Sequence, residues 1–424
     1  MKTKTLRLLS YGSAAILITM MVAASVVEKF HGTETALSAI YHNPIFFALW
    51  AVLAASGMAL LLRRGGAKRP ATLALHLALL LILGGALITH LSGQSGSIHL
   101  REGEASAAVE LEDGTTLELP FQLELKEFRI ERDPDGRHVA DYVSELVFLP
   151  GSSFADSSSF AGSSSFAGLT GESPATISMN HIAKRNGYRF YQADYDEDGH
   201  GSILAVSHDP WGVGVTYAGY VLLLLSMIGY FFEPGSHYRL TLRTLRRERK
   251  PGPRRHVGAI VLSVLGAGLL LAWFLGAFPK GPLMPVLRSP LLFIHVVPMM
   301  VCYSVFSLLA LLGLVGLCLR PDASERLRAI GYAVLYPAVF LLAFGTFFGA
   351  VWANVSWGNY WAWDPKETWA LNTLLIYAFA LHGERLRAAG HPRRFHLFCI
   401  LAFLAVLVTY FGVNLFLGGV HSYA

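Results

Sequence analysis

Apolar residues run in blocks of about twenty along this chain, divided by short polar stretches. Nine such blocks recur, at 9–27, 45–62, 71–91, 211–232, 257–275, 291–318, 329–351, 366–383 and 396–414. At 1.5 Å rise per residue a helix of about twenty apolar residues crosses a bilayer core of about 30 Å, so the pattern predicts nine transmembrane helices. The first block carries no small-residue cleavage pattern, and Glu28-Lys29-Phe30 leads straight to a second block, so it reads as a retained span rather than a signal peptide. Only between 92 and 210 does the period change. There Ala107-Ala108-Val109-Glu110-Leu111-Glu112 alternates, Asp113-Gly114 makes a turn, and Thr115-Thr116-Leu117-Glu118-Leu119 alternates again, which predicts a β-hairpin. Arg189–Ala193 and Ser202–Val206 read as further strands. Residues 152–169 repeat a six-residue unit three times (SSFADS, SSFAGS, SSFAGL), placing a low-complexity loop at 151–170. The fold class is therefore an all-α polytopic membrane protein of about nine transmembrane helices with one small β-rich extracytoplasmic domain. The divisions are 1–91 with three helices, 92–210 as the β-rich domain, 211–255 as a fourth helix and basic loop, and 256–424 with five helices.

Charge orients the bundle. Loops on the N-terminal side hold 22 of the Lys and Arg residues and those on the other side 12, eight of these within the long 92–210 domain. The positive-inside rule then puts the N-terminus in the cytoplasm and, after nine crossings, the C-terminus outside. Composition agrees, at 53% hydrophobic and 15% charged. The net charge of +5 reflects topology in contact with membrane lipid and gives no support for nucleic-acid binding. The outer domain carries 20 acidic against 8 basic residues, a solvated surface or a face for a basic partner. Cys302, Cys318 and Cys399 all lie in apolar blocks, and no C-x-x-C, P-loop, G-x-S-x-G or H-E-x-x-H occurs, so thioredoxin-type, ATP-driven and hydrolase chemistry lack their usual signals.

Between the seventh and eighth blocks lies WANVSWGNYWAWDPKETW, with Trp352, Trp357, Trp361, Trp363 and Trp369 inside eighteen residues of a chain that has eight tryptophans. One or two there would be interfacial anchors. Five, broken by Gly358 and Asn359, suggest a flat aromatic surface for a large planar apolar ligand. Asp364-Pro365-Lys366-Glu367 also has an ordinary reading as a helix start: Asp as N-cap, Pro at the first position, Glu three residues after the cap. Pro298 reads as a kink in the sixth span.

Four histidines sit at informative depths. His76 and His382 share the inner level, His295 and His421 the outer level beside the tryptophans. The ordinary role of a lone intramembrane histidine is hydrogen-bonded packing, yet ionisable groups in a bilayer are functional candidates. Two pairs matched in depth fit the axial positions of haem, a planar and largely apolar molecule whose propionates Arg288 or Lys366 could answer.

The run Trp357-Gly358-Asn359-Tyr360-Trp361-Ala362-Trp363-Asp364-Pro365-Lys366-Glu367-Thr368 resembles the WWD signature of haem-handling membrane proteins of cytochrome c maturation. Residues 256–424, with Phe411-Gly412-Val413-Asn414 and Gly419-Val420-His421-Ser422-Tyr423-Ala424, resemble CcsA of System II. Glu28-Lys29-Phe30-His31-Gly32, Ile40-Tyr41-His42-Asn43-Pro44 and Arg101-Glu102-Gly103-Glu104 resemble ResB/CcsB. The resemblance implies a CcsB–CcsA fusion in the bacterial cytoplasmic (inner) membrane that acts as a cytochrome c synthase. Such a protein takes haem b from the cytoplasmic side and attaches it by thioether bonds to the C-x-x-C-H motif of apocytochrome c outside. It further implies His76 and His382 as the transmembrane ligands, with His90 as the rival to His76. His295 and His421 are the implied outer ligands, with Trp352, Trp357, Trp361, Trp363, Asp364 and Trp369 around the haem. A thioredoxin-like thiol reductant is the implied further partner. From the residues alone, a haem exporter without ligation and a bis-histidine electron-transfer subunit stay open.

Overall fold

A computed structural model describes residues 2–111, 113–134, 136–151, 172–247, 285–382 and 391–417. Among them seven helices are long and apolar enough to cross a membrane, and the chain is a multi-pass membrane protein. They begin with α1 (Thr3–His31), α2 (Pro44–Arg63) and α3 (Pro70–Ser92). After the β-sheet come α4 (Gly212–Phe232), which the amphipathic α5 (His237–Arg247) follows, then α6 (Pro290–Cys318), α7 (Pro321–Trp357) and α9 (Pro392–Leu407), which the π-helical Val408–Leu417 continues into one span. The expected span at 257–275 lies outside the described residues. The expected span at 366–383 is present as α8 (Pro365–His382) but is not one of the seven, because Lys366, Glu367, Asn372 and His382 dilute its apolar content. Pro298 sits inside the continuous α6.

Between residues 94 and 208 the described residues form one antiparallel sheet of eight strands in the order β5-β4-β3-β2-β1-β8-β7-β6. The strands are β1 (Gln94–Arg101), β2 (Ala105–Leu111), β3 (Thr116–Arg132), β4 (Val139–Pro150), β5 (Ser173–Ile177), β6 (Ala183–Arg185), β7 (Tyr188–Tyr195) and β8 (Gly201–His208). The predicted hairpin is there: Ala108 faces Glu118 and Val109 faces Leu117, with Gly114 at the turn in the left-handed region at φ 78°. The alternation works as expected, burying Leu100, Val109, Leu123, Leu125, Phe190 and Leu204 in one core. A low-complexity loop was expected at 151–170; apart from Gly151 it lies outside the described residues.

Helix ends are joined across the sequence by acidic caps. Asp209 accepts from the N–H groups of Gly212 (2.7 Å) and Val213 (3.0 Å) at the start of α4, and from the Thr89 hydroxyl near the end of α3. At the other end of the same pair, Glu233 accepts from the N–H groups of Ala71 (2.8 Å) and Thr72 (3.3 Å), capping α3. Between the caps, a Cβ on Gly85 would stand 2.2 Å from the Thr216 hydroxyl and one on Gly219 2.8 Å from Ile82. Small residues therefore let α3 and α4 pack backbone to backbone, the usual device where lipid tails are as apolar as any side chain.

Candidate functional site

The tryptophan segment is the C-terminal end of α7, a loop at 358–364 and the start of α8. Gly358 ends α7 at φ 83°, where a Cβ would also lie 2.5 Å from the Tyr191 ring of β7. Glycine is required twice over there, for the left-handed cap and for the close approach of the sheet. Asp364 is 3% exposed, and its Oδ1 accepts from the N–H of Lys366 at 2.8 Å. The N-cap expected from Asp364-Pro365 is thus present. Glu367, three residues after the cap, reaches past it to accept from the N–H of Ala362 (2.9 Å) and so ties down the loop. Asp364→Ala is expected to cost about 1 kcal/mol of stability and Asp364→Asn a few tenths, since Asn caps nearly as well. Thermal melting of the two purified variants checks this; equal losses would place the role of Asp364 in its charge.

The loop is fastened from three directions. Tyr41, in the π-helical turn Leu37–Tyr41, stacks on Trp363 (ring centroids 4.5 Å, 16°) and shares a hydrogen bond with Thr368 (3.0 Å). Phe46 of α2 meets Trp363 edge-on at 5.2 Å. Tyr360 donates to the hydroxyl of Thr89 on α3 (2.9 Å). From the sheet side, the Asn354 amide, turned to satisfy its neighbours, accepts from Arg189 (3.2 Å) and Tyr217 (2.7 Å) and donates to Gly358 O (3.1 Å).

The five tryptophans do not make one flat surface. Trp361 and Trp363 stand at 85° to each other, and Trp352 and Trp357 at 76°. Trp352 is 2% exposed and lies parallel to the His295 ring (10°, 6.4 Å), while Trp363 belongs to the packing between the N-terminal helices and α8. Trp361 packs with Val213, Ala350 and Tyr360. A surface built by α7, a loop and α8 together has no reason to keep its rings coplanar, and the expected single plane is not formed.

Histidines 76 and 382, although 306 positions apart in the sequence, come together with ring centroids 5.9 Å apart and planes at 85°. Each donates its Nδ1–H to the carbonyl one turn back, Thr72 O and Ala378 O, both at 2.8 Å. That tautomer puts the ring's lone pair on Nε2, the arrangement that prepares a histidine to bind metal. His295 follows the same rule across helices, donating Nδ1–H to Gly345 O of α7 at 2.7 Å. His90, the rival to His76, lies instead against His42 (5.1 Å) and Phe47 (4.8 Å). His421 lies outside the described residues. Neither cation considered for the propionates stands apart from the protein's own groups. Arg288 makes a two-pronged bridge to Asp133 of the sheet domain (3.0 and 2.8 Å), and the Lys366 Nζ donates to Asn414 (3.0 Å). The Arg288 guanidinium holds the Asp133 carboxyl below the usual carboxylate range, so this link is retained at neutral pH and weakens only as pH falls through that lowered value. Sequence reasoning passed over Tyr41, Asn354, Arg189 and Tyr191. All four lie in stretches quoted above, Asn354 within the tryptophan segment and Arg189 and Tyr191 within a strand, but no local pattern marks them as parts of the site.

Residues 235–421 match the family described as cytochrome C assembly protein, and residues 48–206 match the ResB-like family. Protein NrfI of Wolinella succinogenes is 39% identical over 184 residues, 40% of this chain and 20% of that protein. The cytochrome c biogenesis protein CcsA of Chlamydomonas reinhardtii is 38% identical over 152 residues (34% of this chain, 43% of the relative). CcsA of Synechococcus sp. strain CC9902 is 38% identical over 177 residues (34% and 58%). The chain thus spans between a fifth and three fifths of the length of these relatives. With a ResB-like stretch followed in the same polypeptide by a cytochrome c assembly stretch, the chain belongs to the ResB–CcsA fusion proteins of cytochrome c biogenesis.

Proposed function

We propose that this protein carries haem b from the cytoplasmic side of the membrane to an outer site at the tryptophan loop and there joins it to the C-x-x-C-H motif of an apocytochrome c. The observation that carries this reading is the pairing of His76 with His382. Two imidazoles on one iron, with metal–nitrogen bonds of about 2 Å, have their ligating nitrogens about 4 Å apart. A centroid separation of 5.9 Å with each Nδ1 already committed to a carbonyl suits that arrangement. These histidines would receive haem near the inner face. His295, held against Gly345 and parallel to Trp352, would be one ligand of the outer site and His421 the other. Trp357, Trp361, Trp363, Trp369 and Asp364 are assigned to shaping the outer site. In this reading the Lys/Arg bias sets the N-terminus in the cytoplasm and the sheet domain outside.

The bond-forming step needs little from the protein beyond position. Each cysteine S–H adds across a vinyl C=C: sulfur bonds one carbon, the thiol proton ends on the other, and nothing is oxidised or reduced. The thiols must arrive reduced, which calls for a separate thiol reductant such as a thioredoxin-like partner. Holding vinyl and thiol in contact supplies much of the rate by proximity. The histidine of the incoming motif replaces one protein imidazole on iron, which releases the product with its own ligand.

The test is co-expression of the full chain with an apocytochrome c in a bacterial host that lacks its own maturation system. Thioether-linked haem in the cytochrome is the expected result. His295→Ala should reduce the yield at least about tenfold, the smaller effect of losing mere support for a metal ligand, and added imidazole should partly restore it by filling the axial position. Haem delivered outside but never covalently bound would favour a haem relay instead. Bound haem with neither delivery nor attachment would favour an electron-transfer role.

A further inference from the structure

Helix α8 links the two levels at which histidines gather, and its polar groups are not equally provided for. Thr368 is bonded to Tyr41 and to Trp363 O, and Thr373 to Thr409. Asn372 differs. It is 0% exposed, and among the described residues neither its Oδ1 nor its Nδ2 has a hydrogen-bond partner. One turn before it, the Nε1–H of Trp369 is also buried without a partner. A buried amide with both ends unmatched is costly, more so at bilayer depth where water does not compensate. Polar side chains kept in membrane helices at that cost are functional candidates.

Residues three apart share a helix face, so Trp369 and Asn372 together present two N–H donors and one carbonyl acceptor. That set is complementary to a carboxyl group. The two N–H groups can donate to its oxygens, and in the neutral acid form its O–H donates to Asn372 Oδ1. The acid–amide pair carries no net charge, which suits a low-dielectric site. Asn372 is eight residues from Asp364 and ten from His382, about 12 and 15 Å along the helix axis. It therefore stands between the inner histidine pair and the outer loop.

We propose that Trp369 and Asn372 form a carboxyl-binding point within the bundle that holds a propionic acid side chain of haem between the two sites. This rests on the proposed haem-carrying function and adds to it a specific demand: recognition must depend on the propionates and not on the iron alone. It assigns Asn372 and Trp369 as positioning residues for the substrate.

The experiment titrates the purified full-length protein with haem and with haem dimethyl ester, whose propionates are methylated and cannot donate. Absorbance reads both binding and the bis-histidine spectrum. The wild-type protein is expected to prefer haem by about tenfold or more, the worth of one or two buried hydrogen bonds. Asn372→Leu and Asn372→Ala should each lose most of that preference and keep the bis-histidine spectrum, while Trp369→Phe should weaken haem and ester alike, because an ester carbonyl still accepts from the Trp369 N–H. Asn372→Leu should melt at no lower a temperature, since it removes an unmatched buried amide. Asn372 variants that keep the wild-type preference overturn the inference, as does a wild-type protein that binds haem and ester equally; in both cases the haem-carrying reading stands. A lower melting temperature for Asn372→Leu with unchanged preference also overturns it, and marks an amide satisfied by buried water. If the wild-type protein binds neither molecule, the haem reading fails and this inference falls with it.

Discussion

His382→Ala and His76→Ala proteins are expected to insert and fold but to carry little haem. Each imidazole donates a hydrogen bond to a backbone carbonyl, Ala378 O or Thr72 O, and both acceptors lie inside their own helices. Removing the ring takes a polar group out of the bilayer at little cost in packing, so abundance and melting should change little. Haem affinity should fall at least about 10–100-fold, the range seen when only the supporting partners of a metal ligand are removed. Cytochrome yield should fall with it even though His295 and the tryptophan loop are intact, because in the proposed route haem reaches them through the inner pair. Absorbance on equal amounts of purified protein decides the matter, and imidazole added during expression should restore part of the signal. Full haem occupancy in either variant would make these residues packing histidines whose 5.9 Å approach is incidental.

The second large effect is expected at Trp363, and it is on stability. Its ring meets Tyr41 and Phe46, from the N-terminal part of the chain, in a cluster against which the α8 residues Leu371 and Leu375 also pack. Its backbone is held at φ 58°, a conformation a bulky residue adopts only where surrounding packing imposes it. Trp363→Ala removes the stack and opens a cavity at the junction, at an expected cost of about 3 kcal/mol, the lower end for truncating a large aromatic because the residue is only half-buried. Trp363→Phe should recover most of it. Trp361, its neighbour in the loop, should behave in the opposite way, with Trp361→Ala losing haem while melting almost as the wild type. Thermal melting and haem-to-protein ratio measured on the same preparations separate the two. If Trp363→Ala melts normally and loses only haem, its role lies with the ligand and the junction is held by other groups.

How far the sequence alone could go follows from the range of the interactions involved. Spans, the hairpin around Asp113-Gly114 and the Asp364 cap depend on neighbours a few residues away, through helical rise, strand alternation and turn chemistry, and each is legible as a local pattern. Matching His76 with His382 by depth needed only the length of a helix and the sense of each crossing. The lateral direction is another matter. Depth does not say which helices are neighbours, so His90 could be set aside only on level, while its actual contact with His42 and Phe47 was invisible.

Tertiary structure alone decided everything that depends on side chains meeting from distant parts of the chain. Tyr41 and Thr368 are 327 residues apart and share a hydrogen bond; Asp133 and Arg288, 155 apart, form a bridge that engages a cation the sequence had offered to haem. Tryptophans clustered in sequence were spread over a helix end, a loop and a second helix, and rings supposed to share a plane stand at 76° and 85° to one another within the two contacting pairs. Asn372 shows the same limit in reverse. In sequence it is one polar residue in an apolar span, and only packing shows that Thr368 and Thr373 found partners while Asn372 did not. Composition and periodicity determine what a segment must do with water and lipid, because those are properties of the segment; whether a polar group is satisfied is a property of its surroundings, and only the assembled bundle supplies them.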